Sequence, residues 1–157
     1  MNQSLPIQLA VLVVFLVVTF GAAAVGARFQ PGEWYTQLVK PGFTPPNWVF
    51  GPVWTLLYLS MGVAAWLVWR QSGWQVARWA LTTYAIQLVL NALWSFLFFG
   101  KHLIGAALAD ITVLLSAIIV TTILFWRITP PAGWLMVPYV LWVAFASALN
   151  YRFWILN

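Results

Sequence analysis

The sequence predicts an all-α integral membrane protein: a single domain over residues 1–157, built as a bundle of five transmembrane helices. Three observations carry this. Hydrophobic residues make up 64% of the 157 and only 6% are charged, where a soluble domain carries about 25%. The apolar residues fall in five long runs separated by polar or proline-bearing connections, and a membrane helix needs roughly 20 in succession. Each run is also too continuously apolar for a tilted barrel strand of about 10 alternating residues. Such a chain cannot cover a water-facing surface, which excludes a soluble enzyme, a nucleic-acid binder and a disordered segment.

The first helix is expected over about 5–27. It is uncharged and ends in Gly21-Ala22-Ala23-Ala24-Val25-Gly26-Ala27, small residues that let a neighbouring helix approach closely. A cleaved signal peptide would carry a basic leader, and Met1 to Pro6 holds no Lys or Arg, so a retained helix is expected. Residues 28–46 contain Glu33, Lys40, Pro31, Pro41, Pro45 and Pro46, with Trp34, Tyr35 and Phe43 among them. Prolines remove backbone freedom, which predicts an ordered loop packed on the bundle. The alternative is an interfacial segment with its aromatics among lipid headgroups.

The second helix is expected over about 47–69, with Pro52 in its first turns, where a missing N–H costs least. A connection over 71–76 containing Ser72-Gly73 leads to a third helix over about 77–99. Gly100-Lys101-His102 reads as a tight turn. The fourth helix follows over about 103–126, and Pro130-Pro131 separates it from a fifth over about 133–154. No internal repeat is evident.

Seven Lys and Arg against two acids give a net charge of +5, spread along the chain as suits loops beside anionic headgroups. Arg28, Lys40, Lys101 and Arg152 fall on one side of a five-span topology, and Arg70, Arg78 and Arg127 on the other. That near balance leaves the orientation undecided. Without cysteine there is no disulfide, thiolate metal site or thiol nucleophile. One histidine and two acids cannot assemble a metal cluster, and His102 has no acid near it for a triad. Asp110 is the acid within a span; pairing with a neighbouring Trp N–H, Tyr O–H or Arg is expected, and proton or cation handling is the alternative.

Polar residues in hydrocarbon are costly and therefore informative. Gln87, Asn91 and Ser95 are spaced by four and share one face of the third helix, with Trp94 and Phe98 beside them. Trp54 and Tyr58 share a face of the second, and Pro138, Trp142, Ala146 and Asn150 step by four along the fifth. Converging, these faces would enclose an apolar cavity for a large flat guest. Equally, Gln87, Asn91 and Asn150 could serve as interhelical hydrogen bonds. Gly105 and Ala109 form a small-xxx-small pair, fit for close helix contact or a homodimer. Arg78, Tyr84 and Leu88, and also Leu149, Tyr151 and Arg152, loosely fit sterol-contact patterns.

Trp34-Tyr35, Lys40-Pro41, Pro45-Pro46-x-Trp48-Val49 and Gly51-Pro52-Val53-Trp54-x-x-Leu57-Tyr58 resemble the TspO/MBR family. So do Gly26-x-Arg28-Phe29, Gln87-Leu88-x-Leu90-Asn91-x-x-Trp94, Phe98-Phe99-Gly100, Asp110, and Pro138-Tyr139-x-x-Trp142-x-Ala144-Phe145 through Leu149-Asn150-Tyr151. The matches run in order across nearly the whole chain. The resemblance implies a five-helix bundle, commonly a homodimer, whose first loop closes over a ligand cavity. It implies porphyrins such as protoporphyrin IX, or cholesterol and other sterols, as partners, with lipid around them, no required cofactor, and the porphyrin as ligand or substrate. Family pocket positions match Trp54, Tyr58, Asn91, Trp94, Ser95, Phe98, Trp142 and Ala146. The full candidate ligand-binding set adds Trp34, Tyr35, Gln87 and Leu149. In some bacterial members the positions of Trp54 and Trp142 serve light- and oxygen-dependent porphyrin breakdown, which makes these two the catalytic candidates if that reaction occurs. Ala106 stands where mammalian members have Trp, and Arg152 follows Tyr151 without a spacer; both departures bear on sterol more than porphyrin binding. The resulting expectation is a multi-pass receptor or carrier in a bacterial cell membrane, acting in tetrapyrrole transport, sensing or regulation. Enzyme-like porphyrin degradation and a structural or regulatory scaffold are the alternatives.

Overall fold

A computed structural model describes residues 4–157; the first three residues of the expected domain lie outside the described residues. The chain forms α1 (Leu5–Gly26), a short α2 (Glu33–Gln37), a long α3 (Asn47–Ser95), a π-helical turn (Phe96–Gly100), α4 (Ile104–Ile128) and α5 (Pro130–Leu156). There is no strand among the described residues.

A straight helix of 49 residues would run about 74 Å, more than twice the roughly 30 Å of a bilayer core. α3 is instead a hairpin. Gly73 takes φ 70° and ψ 175°, outside helical geometry. Only glycine adopts that region freely, because it has no Cβ. The limbs 47–72 and 74–95 then run antiparallel: Tyr58 bonds Asn91, and Met61, three residues on, bonds Gln87, four residues back. α1, α3, α4 and α5 are each long and apolar enough to cross a membrane, and with α3 folded in two the bundle has five spans.

Several junctions are tighter than the expected connections. Helix continues on both sides of Gly73, so residues 71–76 are not an open loop. α4 runs on to Ile128, and Pro130-Pro131 occupy the opening positions of α5. The prolines start the helix there, since their fixed φ suits a first turn whose N–H groups have no partner anyway. Only Thr129 separates the two helices. Pro52 lies six residues into α3, past the first turn, where it withholds the N–H that the Trp48 carbonyl would accept.

α1 packs on α3, α4 on α3 and α5, and α5 on α3. α1 buries Phe15, Thr19 and Gly26 and leaves Val13 and Val17 exposed, as a helix with one face toward lipid does. Its small residues serve the expected close approach: a Cβ on Gly26 would lie 3.3 Å from Ser95 Oγ. Thr19 also bonds the Tyr84 hydroxyl. A Cβ on Gly105 would likewise lie 3.2 Å from Trp154 Nε1 of α5, while Gly105 and Ala109 are both exposed. The main core, around Met61, Val68, Ile118, Phe125 and Met136, is fully buried. A second cluster joins Tyr35, from residues 27–46, to Phe98, Ala107, Leu149 and Phe153 of the bundle. Exposed Trp48 and Trp154 sit at the helix ends on that side, with exposed Trp74 and Trp134 at the other, the placement of aromatic belts.

Residues 27–46 are packed onto the bundle. Tyr35 is buried against Phe98, Phe99 and Phe153. Trp34 stacks on His102 with centroids 4.2 Å apart, and Phe43 sets its edge on Phe145. The loop, the turn at 101–103 and Asn157 thus share one end, as the five-span topology requires.

Candidate functional site

Between the buried core and the loop lie two adjoining cavities. The larger, about 540 Å³, sits under the loop between the first limb of α3 and α5, bordered by Tyr35, Phe98, Ala146 and Leu149 among others. The smaller, about 340 Å³, reaches toward α1 and is bordered by Phe20, Tyr58, Asn91, Ser95 and Trp142. Phe50, Trp54, Trp94 and Phe99 border both, so the two volumes are lobes of one aromatic cleft. No charged side chain lines either lobe among the described residues.

Trp54 stands at the junction. Its ring centroid is 5.5 Å from Tyr58 and 6.2 Å from Tyr139. It is 6.5 Å from Trp142, with the two planes at 87°. Phe50 sets its edge on Trp142 at 5.8 Å. Opposite, Trp94 stacks on Phe98 at 5.3 Å. The π-helical turn widens the backbone here: Lys101 N donates to Phe96 O at 2.8 Å, a step of five residues. Consecutive Phe98 and Phe99 both border the larger lobe in consequence, and such turns recur at functional sites.

The polar stripe is largely committed within the bundle. Tyr58 O–H donates to Asn91 Oδ1, Asn91 Nδ2 donates to the Tyr139 hydroxyl at 3.0 Å, and Tyr139 O–H donates to Gln87 Oε1 at 2.8 Å. Trp94 Nε1 donates to Asn150 Oδ1 at 2.9 Å, and Asn150 Nδ2 to the Ile104 carbonyl at 3.1 Å. Gln87, Asn91 and Asn150 are therefore interhelical hydrogen bonds, while Asn91 and Asn150 also border the cleft. A cavity and the interhelical bonds thus coexist: the floor of the cleft is the hydrogen-bonded seam of the bundle. Trp142 Nε1 is buried with no partner among the described residues, which leaves one donor unspent beside the smaller lobe.

Of the candidate residues, Tyr35, Trp54, Tyr58, Asn91, Trp94, Ser95, Phe98, Trp142, Ala146 and Leu149 border the cleft. Gln87 lies fully buried beneath it. Trp34 does not border it either; it stacks on His102 and sets its edge on Phe98. Phe50 escaped the sequence reading although the signal was present: 50, 54 and 58 step by four along one helical face. Phe99 gave no such signal, because regular helical spacing turns it away from Phe98.

Burial pushes the Tyr35 phenol above its ordinary pKa, keeping it a neutral wall residue. Asp110 is buried, and its Oδ2 has no partner among the described residues, so the expected pairing of that atom is not seen; Asp110 borders neither lobe. The sterol-contact patterns do not present one surface. Tyr84 and Leu88 are buried beside exposed Arg78, and Leu149 borders the cleft while Tyr151 and Arg152 are exposed.

A family model described as "TspO/MBR family" matches residues 10–155. Among similar proteins, "Protein CrtK" of Rhodobacter capsulatus is 38% identical over 154 residues, covering 96% of this chain and 94% of that one. The human "Translocator protein" is 42% identical over 135 residues, covering 83% and 80%. "Tryptophan-rich protein TspO" of Archaeoglobus fulgidus is 44% identical over 124 residues, covering 79% and 80%.

Proposed function

The chain belongs to the TspO/MBR family, and from that premise we propose that it is a membrane receptor or carrier holding a porphyrin such as protoporphyrin IX in the aromatic cleft. Membership supports the coarser statement, a membrane receptor or transporter role. The finer one is supported chiefly by Trp54 and Trp142: they come from separate spans and meet at the wall of an uncharged cleft. Aromatic planes reward stacking by a flat apolar guest, and such clefts with a few fixed polar groups are the usual form of a small-molecule site. A homodimer, a bacterial cell membrane as its location, and action in tetrapyrrole transport, sensing or regulation belong to the same proposal.

Titrating the purified protein with protoporphyrin IX tests it. Saturable quenching of tryptophan fluorescence is expected, with weaker affinity in the Trp54→Ala/Trp142→Ala double variant. Equal affinity in that variant would overturn the reading.

A second reading is favoured by the same pair. Two indoles at 6.5 Å, beside the hydrogen-bonded Tyr139, are close enough to share an oxidising equivalent. Light and oxygen would then degrade the bound porphyrin, with Trp54 and Trp142 as its catalytic residues. Illumination in air should bleach the porphyrin faster with the protein than with the double variant at equal occupancy; equal rates would remove this reading. Sterol binding has less support, since Leu149 and the Tyr151-Arg152 pair face different surroundings.

A further inference from the structure

The loop over the larger lobe is held almost wholly by aromatic contacts. Its own hydrogen bonds are local: Tyr35 N to Gly32 O, Thr44 N to Pro41 O, and the Thr36 and Thr44 hydroxyls to carbonyls three residues back. Among the described residues, one polar tie reaches another element. Val39 N donates to Asn157 Oδ1 at 2.9 Å, and Asn157 Nδ2 donates to Val39 O at 3.2 Å. The carboxamide thus pairs with both backbone groups of one residue, as a neighbouring strand would. Asn157 is itself fixed, because its Nδ2 and backbone N both donate to the Phe153 carbonyl, at 3.0 and 3.1 Å. Phe153 borders the larger lobe; Asn157 does not.

From this geometry we infer that the Asn157 carboxamide is a latch: it holds residues 33–44 down over the cleft and sets the rate at which a guest exchanges. The inference rests on the cleft being a ligand site, yet the latch itself is visible without ligand. The seal beneath the loop is apolar and non-directional, so it tolerates sliding, whereas paired hydrogen bonds fix one register. Removing the pair raises the population of the lifted loop without altering the cleft wall. Asn157 is a positioning residue in this scheme, acting through the loop and touching no guest.

The test uses hydrogen–deuterium exchange of the full chain in detergent or nanodiscs, with no ligand. In Asn157→Ala, exchange of the peptide covering 33–44 should rise about tenfold, the factor expected from losing two solvent-exposed hydrogen bonds in the lower part of the usual net range. Asn157→Asp, which keeps the acceptor for Val39 N–H and loses the donor, should fall between. Exchange in α1, α3, α4 and α5 should not move, which separates the latch from a general loss of fold. Protoporphyrin IX is then loaded and its off-rate measured by dilution; a rise of similar size is expected in Asn157→Ala. Unchanged exchange over 33–44 overturns the latch. Faster exchange with an unchanged porphyrin off-rate overturns its control of guest exchange. Faster exchange in a protein that binds no porphyrin supports the latch and counts instead against the porphyrin reading.

Discussion

The indoles of Trp54 and Trp142 meet edge to face, with centroids 6.5 Å apart and planes at 87°. One comes from the first limb of α3 and the other from α5, each on a helix that carries an internal proline, Pro52 or Pro138. Perpendicular contact is a favoured geometry for aromatic pairs. It also leaves each ring a face not covered by the other, and both rings border the smaller lobe.

Replacing either indole should therefore weaken a stacked guest more than it weakens the bundle. Trp54→Ala or Trp142→Ala is expected to lower affinity for protoporphyrin IX by about 10- to 100-fold, the scale of a buried aromatic contact. Trp54→Phe should lose less, since a smaller plane remains. Fluorescence titration of the single variants reads both effects. A Trp54→Phe loss as large as that of Trp54→Ala would show that stacking is not the main interaction.

Asn91 bridges three spans through one amide, accepting from Tyr58 and donating to Tyr139. Asn91→Leu should destabilise the protein by about 1 kcal/mol, because hydrogen bonds between membrane helices average about 0.6 kcal/mol and this residue makes two. Unfolding by sodium dodecyl sulfate measures it. Tyr58→Phe should cost less, and little further when combined with Asn91→Leu, since both remove the same bond. Full additivity of the two would mean the bond contributes nothing.

Gly73 allows two spans to join with no loop. Its φ of 70° and ψ of 175° belong to a region essentially reserved for glycine, where other residues are strained by about 1–3 kcal/mol. Gly73→Ala should lower stability by that amount, and Ser72→Ala by much less. The same unfolding titration compares them, and equal effects would contradict the conformational origin.

The sequence made the spans legible because hydrocarbon imposes a length and a composition on every helix that crosses it. The faces bearing Trp54, Tyr58, Asn91 and Trp142 were legible for a related reason, since helical spacing fixes which residues point together. Two things were not readable. Phe99 enters the cleft through a π-helical turn, a local change of pitch with no clear residue signature. Asn157 meets Val39 across 118 residues, and no local pattern marks a contact that depends on where a loop comes to rest. Pro130-Pro131 does separate the fourth helix from the fifth, as expected, but it does so from inside the fifth's first turn: a proline both blocks continuation and suits a helix start, so the expected start near 133 fell three residues late.

Ala146 offers the sharpest separation of cleft from packing. It borders the larger lobe one turn beyond Trp142, and its methyl leaves space that a larger side chain would occupy. Ala146→Leu places three more carbons in a volume of about 540 Å³. In a packed core such an insertion strains the neighbours by about 1–3 kcal/mol. In an empty lobe it gains contacts, so stability should hold or rise while porphyrin affinity falls by tenfold or more. Opposite signs in detergent unfolding and in porphyrin titration are thus expected of one substitution. Two other outcomes are distinguishable. A large loss of stability would show that the helices close around position 146, and undiminished affinity in a stable protein would place the guest elsewhere.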